Sequence, residues 1–218
     1  MIIRILYQDS FLLVCEKPVG LSSESPGLPD IVAQQTGQKI FPVHRLDTGT
    51  GGVIILACSS DVCTSLRNLF DHNLVQKKYF AVVSGHPDES GGSYTDYLYH
   101  DKKTNKSYVA DKPRRGVKQA VCEWIPSCSV LYDGQELSLI QVQLHTGRTH
   151  QIRVQFGSRG FPLVGDRKYG SRIRSAAPAL WASGISFPHP YTQGSIVSVT
   201  SAPPAVFPWN LFISSIML

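Results

Sequence analysis

His44-Arg45-Leu46-Asp47-Thr48-Gly49-Thr50-Gly51-Gly52 runs directly into the apolar stretch Val53-Ile54-Ile55-Leu56-Ala57. That stretch is mostly β-branched or long aliphatic, bounded by glycines before it and by Cys58-Ser59-Ser60 after it, the pattern of a strand buried on both faces. A charged segment therefore opens onto a core strand. Asp47 in that position is costly unless its carboxylate is paired or used, and the glycines beside it let another backbone or a ligand approach closely. An isolated Arg-x-Asp would be a turn cap with a surface salt-bridge partner, so the rest of the chain has to decide between packing and chemistry.

Residues 2–15 read as two short strands about a Gln8-Asp9-Ser10 turn, and residues 18–30, rich in Pro, Gly and Ser, as a loop. After the core strand, Ser60 can cap a helix whose Val62, Leu66, Leu69 and Phe70 share one face. Tyr79 follows Lys77 and Lys78 at the head of a strand ending in Gly85, where a tyrosine by itself is ordinary sheet packing. From His86 to Lys118 the chain turns polar and irregular, the pattern of a solvated connection. Its seven cations, Lys102, Lys103, Lys106, Lys112, Arg114, Arg115 and Lys118, interleaved with Tyr94, Tyr97, Tyr99 and Tyr108, equally suit an RNA backbone.

Leu137 to Leu144 alternates, with Ile140, Val142 and Leu144 on one face and Gln141 and Gln143 on the other, a half-buried strand. A helix is predicted after His150, with Ile152 and Phe156 at helical spacing, Gln155 toward solvent and Gly157 able to end it. On that pattern alone Arg153 is a surface cation. Val197-Ser198-Val199-Thr200 is one more alternating strand, and Pro203, Pro204 and Pro208 keep the tail from extending it.

Four separated segments, in order, resemble the RluA-type pseudouridine synthases. The stretch from His44 to Gly52 matches that family's His-Arg-Leu-Asp-x-x-Thr-Ser-Gly signature with Gly51 in place of the usual serine. Lys17-Pro18-Val19-Gly20-Leu21 matches its Lys-Pro-x-Gly-Leu turn, and Lys78-Tyr79-Phe80-Ala81-Val82-Val83 its tyrosine-bearing strand. Thr146-Gly147-Arg148-Thr149-His150-Gln151-Ile152-Arg153, continuing into Gly165-Asp166 and Tyr169-Gly170, matches its arginine motif. Two further departures stand out: Gln155 where the family has histidine, and Trp181 where histidine is common.

The resemblance implies an α+β fold, a bent, mainly antiparallel sheet flanked by helices with a central RNA-binding cleft, over a single domain of residues 1–218. The sequence is expected to be the catalytic domain alone, with no additional N-terminal RNA-binding domain. It implies isomerisation of uridine in transfer or ribosomal RNA to pseudouridine, with Asp47 as the catalytic residue acting either on the ribose anomeric carbon or on a ribose proton. Arg153 is then the expected partner of Asp47, Tyr79 the residue that stacks on the flipped base, and Arg45 a contact to phosphate or to the gap the base leaves. No cofactor is expected, because the base is both leaving group and returning nucleophile.

Composition agrees with that reading. A formal charge of +5 favours an anionic partner. The five cysteines form no Cys-x-x-Cys pair and leave one over, so reduced thiols in a cytoplasmic protein are expected rather than a zinc ribbon or disulfide framework. His145 and His150 have no spacing typical of a zinc helix, and no metal is expected. The start of the chain lacks a signal-peptide pattern, and the apolar Leu211–Leu218 end is far shorter than the ~20 residues that span a bilayer. A monomer without an obligate protein partner is expected. Two other classes compete: a synthase fold retained only for RNA binding, and an unrelated hydrolase or phosphate-binding enzyme, against which the lack of Gly-Lys-Ser/Thr and Gly-x-Ser-x-Gly argues.

Overall fold

The computed structural model describes residues 1–87 and 90–216. Its contacts divide into two units, Met1–Lys77 with Trp181–Pro203 and Lys78–Leu180 with Pro204–Leu218.

The first unit is built on the apolar run. Strands β1 (Arg4–Gln8), β2 (Leu12–Lys17), β3 (Phe41–Pro42) and β4 (Gly51–Ala57) come from the N-terminal part of the chain, and β4 is buried along its whole length, as its sequence predicts. β2 pairs antiparallel with β4 from Leu12 opposite Ala57 to Lys17 opposite Gly52. Asp9 closes the turn between β1 and β2 by accepting the backbone N–H groups of Phe11 and Leu12 at 2.7 and 2.9 Å. Helix α1 (Leu28–Thr36) begins inside the stretch expected to be loop. The correction has a local cause: Pro29 suits a first helical turn, and the Asp30 carboxylate accepts the Gly27 N–H at 2.7 Å.

Helix α2 (Ser60–Asp71) follows β4 and is capped by Ser59, one residue before the expected Ser60. Its Val62, Cys63 and Leu66 join Val14, Val53, Ile55 and Ala57 in the core.

The second unit contains β5 (Gln76–Ser84), which starts two residues before the unit's first residue, then β6 (Gly92–Asp101), β7 (Lys106–Ala110), β8 (Val117–Tyr132) and β9 (Gln135–Leu144). They lie in the order β5-β9-β8-β6-β7, and β9-β8, β8-β6 and β6-β7 are antiparallel. The polar segment 86–118 is thus largely sheet, not irregular connection. Its side chains are polar because much of β6 and β7 faces solvent, which hides the strand period.

Helix α3 (Gln151–Gly157) covers this sheet, burying Ile152 and Phe156 against Cys122, Trp124, Ile140, Val142 and Leu144. β10 (Leu180–Pro188) and β11 (Ile196–Thr200) pair antiparallel and complete the first unit's sheet, in which Trp181 and Ala182 run parallel to Gly51 and Gly52. The architecture is α+β with a mainly antiparallel sheet, as expected. Among the described residues no helix is long and apolar enough to cross a membrane; of the expected Leu211–Leu218 stretch, Met217 and Leu218 lie outside the described residues.

Candidate active site

Asp47 sits on the loop that leads into β4, and that loop is pinned to the Lys-Pro-x-Gly-Leu turn from several sides. Ser23 holds Leu46 twice, its Oγ accepting the Leu46 N–H at 3.0 Å and donating to the Leu46 carbonyl at 2.9 Å. The Gly20 N–H donates to the Thr48 carbonyl at 2.8 Å, and the Thr50 N–H returns to the Asp47 carbonyl at 2.9 Å.

Beneath this turn lies Lys17, at the end of β2 and fully buried. Its ammonium donates to the carbonyls of Leu21 at 2.8 Å and Pro18 at 3.0 Å, with Thr48 at 3.5 Å. Burial lowers the Lys17 pKa to about 8, while the Asp47 carboxylate opposes that shift. A buried cation thus attracts Asp47, a partner the sequence reading left without a role. The sequence carries a signal for it: a lysine closing the mostly apolar strand Leu12–Lys17, immediately before a proline.

His44 anchors the other side. Its Nε2 accepts the Ile55 N–H of β4 at 3.0 Å, and its ring is tilted against Phe70 at 4.8 Å. Desolvation, with the Lys77 charge adding to it, lowers its pKa to about 3, so the ring is neutral and serves as a hydrogen-bond acceptor. Arg45, by contrast, is exposed and reaches Glu24 at 3.2 Å, both side chains being more than half accessible.

The departure at position 51 has a neighbour that explains it. A Cβ on Gly51 would stand 2.3 Å from a ring carbon of Trp181, the other unusual residue. At Gly52, with φ of 111°, a Cβ would meet the Ala182 carbonyl oxygen at 2.2 Å, so both space and backbone conformation select glycine there.

In the second unit Tyr79 is a half-buried residue of β5, packed on the core that includes Trp124 and Phe156. Arg153 is not the surface cation its helical position suggested: it is 8% exposed and forms a two-point ion pair with Asp166, Nε to Oδ2 at 2.6 Å and Nη2 to Oδ1 at 2.9 Å. The Tyr169 ring lies over its guanidinium at 5.2 Å, and the Tyr169 hydroxyl shares a hydrogen bond with His150 Nδ1 at 2.9 Å and accepts the Ser107 N–H at 2.8 Å. Asp166 and Tyr169 belong to the continued arginine motif, yet sequence spacing assigned them no contact. His145 lies 3.1 Å from Glu123, so both histidines considered for metal have other contacts.

Gln155 corrects the expected solvent face of α3. It is fully buried, its amide donating to Asp96 at 2.8 Å and to the carbonyls of Tyr94 and Ala120 at 3.2 and 3.4 Å, while its oxygen accepts from the Cys122 thiol at 3.3 Å. It tethers α3 to β6 and β8 where the family has histidine. All five cysteines are free thiols, and burial raises the pKa of Cys15 and of Cys122 to about 12, far from a reactive thiolate.

Comparison with known proteins agrees with these motifs. Residues 11–158 match the family model described as RNA pseudouridylate synthase. The chain is 32% identical over 221 residues to "tRNA pseudouridine synthase C" of Pasteurella multocida (strain Pm70), covering 90% of each chain. It is 30% identical to the protein of the same name from Haemophilus influenzae (strain ATCC 51907 / DSM 11121 / KW20 / Rd), covering 89% of this chain and 90% of that one. In fold it is similar to the structure titled "Human RNA Pseudouridylate Synthase Domain Containing 1", with a TM-score of 0.81 at 24% identity over 95% of this chain and 85% of that one. A chain with these motifs, this family match and these relatives belongs to the RNA pseudouridylate synthase family and is an isomerase acting on uridine in RNA.

Proposed function

We propose that this chain converts a uridine of transfer RNA to pseudouridine, with Asp47 as the catalytic residue. The bond from uracil N1 to the ribose anomeric carbon breaks, the base turns, and carbon five joins the same anomeric carbon; the carbon-five proton is lost to solvent and N1 takes up one proton, so that the product is an isomer of the substrate. The observation that supports this most is the seat of Asp47: a loop held on both sides by Ser23, Gly20 and His44, over the buried Lys17 ammonium. A carboxylate carried on a loop fixed in this way is positioned in advance of its substrate, which favours an efficient nucleophile or base. Transfer RNA is chosen because similar proteins over about 90% of both chains carry that substrate in their names.

In this reading the target nucleotide leaves its stack, at a cost of a few kcal/mol, and stacking on Tyr79, worth about 1–3 kcal/mol, offsets much of it. Arg153, oriented by Asp166, is the partner of Asp47, by resemblance to the family. Arg45 contacts phosphate or fills the vacated gap; its exposed pair with Glu24 contributes only about 0–1 kcal/mol, so exchanging it for RNA is cheap.

The test is tritium release from RNA labelled at uridine carbon five, with bulk transfer RNA and ribosomal RNA assayed separately. Release from transfer RNA by the wild type, with none by Asp47→Asn although it still binds, is the expected result, and Tyr79→Phe retains binding. Undiminished turnover by Asp47→Asn would overturn the catalytic assignment, and release from ribosomal RNA alone the choice of substrate.

A further inference from the structure

The end of the β6-β7 hairpin, the start of β8 and the Gly147–Thr149 loop enclose a cavity of about 810 Å³ in the second unit. Its charge is one-sided. Lys102, Lys103, Lys118 and Arg148 line it against a single carboxylate, Asp101, and that carboxylate is turned into its own hairpin turn, accepting the Lys103 N–H at 2.9 Å and the Thr104 hydroxyl at 2.8 Å. The three lysines are exposed, whereas Arg148 is fixed by its Nε donating to the Gln119 carbonyl at 2.8 Å. Tyr99, 39% exposed, presents its ring on the same wall.

Resting on the assignment of the chain to RNA chemistry, we propose that this cavity is an RNA-backbone site: Lys102, Lys103, Lys118 and Arg148 take consecutive phosphates, and Tyr99 stacks a neighbouring unpaired base. A row of cations beside an accessible aromatic ring is how single-stranded RNA is held without sequence readout. An acidic peptide would satisfy the cations but leave the tyrosine without its π-faced partner. The cavity is also tied to the Arg153 framework, because its Ser107 hydroxyl donates to the Thr149 carbonyl at 2.6 Å while the Ser107 N–H meets Tyr169.

The test is fluorescence anisotropy of labelled bulk transfer RNA against the full chain over a series of salt concentrations. For Lys102→Gln/Lys103→Gln/Lys118→Gln the slope of log affinity against log salt falls by about 2, roughly 0.7 per lost phosphate contact on a single strand, and Kd rises at least about tenfold. The triple lysine-to-arginine variant keeps the wild-type slope. Tyr99→Ala weakens binding about tenfold without changing the slope, and Tyr99→Phe restores it. A triple glutamine variant with wild-type slope and Kd would overturn the proposal, as would a variant that loses affinity for labelled polyglutamate but not for RNA. Pseudouridine formation by the wild type is measured in parallel. If none forms while the slope change persists, the cavity stands and the transfer-RNA substrate of the proposed function fails; if it forms and the slope is unmoved, only the cavity fails.

Discussion

Gly51 lies directly against the indole of Trp181, and the two residues explain each other. They are register partners in the parallel pair of β4 and β10, and any side chain at 51 would enter the six-membered ring of Trp181. Trp181 is itself fixed, its Nε1 donating to the Ser201 carbonyl at 3.1 Å. Gly51 needs no left-handed backbone, so space alone selects glycine there.

Restoring the family serine should therefore fail alone and succeed with its partner. Gly51→Ser is expected to lower the unfolding free energy by about 1–3 kcal/mol through overpacking. In the double variant with Trp181→His, urea unfolding should show a coupling of about 1 kcal/mol or more in favour of the pair. Strictly additive losses would mean that the two departures are unrelated.

The Arg153–Asp166 pair is nearly dry, at 9% and 1% side-chain exposure. Breaking a buried pair is strongly destabilising. Asp166→Ala is expected to cost on the order of 3 kcal/mol in urea unfolding, together with a fall in turnover on RNA. A loss below about 1 kcal/mol with full turnover would count against Asp166 as the group that orients Arg153.

His44 makes stability sensitive to acid. Its folded pKa of about 3 lies below the ordinary value of 6.5, so between these values the unfolded chain binds the extra proton and stability falls as pH falls. From pH 7 to pH 5 the contribution is about 2 kcal/mol. His44→Gln, which cannot titrate, should show a flatter decline over that window; parallel curves would contradict the neutral, accepting imidazole.

Lys17 acts at the alkaline end. Its pKa falls from 10.5 unfolded to about 8 folded, so the buried ammonium opposes folding below about pH 8, and stability is recovered as pH rises toward 10.5. Between pH 8 and 10 the wild type should gain on the order of 2 kcal/mol relative to Lys17→Met in urea unfolding. The same slope in both proteins would show that the ammonium is better solvated than its burial implies.

Local pattern was enough for much of this molecule. The unbroken apolar run of β4 and the amphipathic repeat of α2 declare themselves because burial on both faces, or on one helical face, dictates residue type at each position. Asp47, Tyr79, Arg153 and Arg45 were legible as motif members for a different reason: their order along the chain resembles a family. Elsewhere local signals conflict, and tertiary contacts decide the outcome. Helix α1 hides in a Pro-Gly-Ser stretch because one carboxylate, Asp30, organises its start, and β6 and β7 hide behind polar, solvent-facing side chains.

By itself the sequence determined the core strand, the family and the candidate residues, since these depend on residue type and near-neighbour spacing. Only the tertiary structure decided that Lys17 lies buried beneath the Asp47 turn, that Arg153 grips Asp166, that Gln155 points inward and that Gly51 makes room for Trp181. Those are contacts between segments far apart in the chain, and whether a polar or charged side chain is stabilising there depends on partners and desolvation that no local pattern encodes.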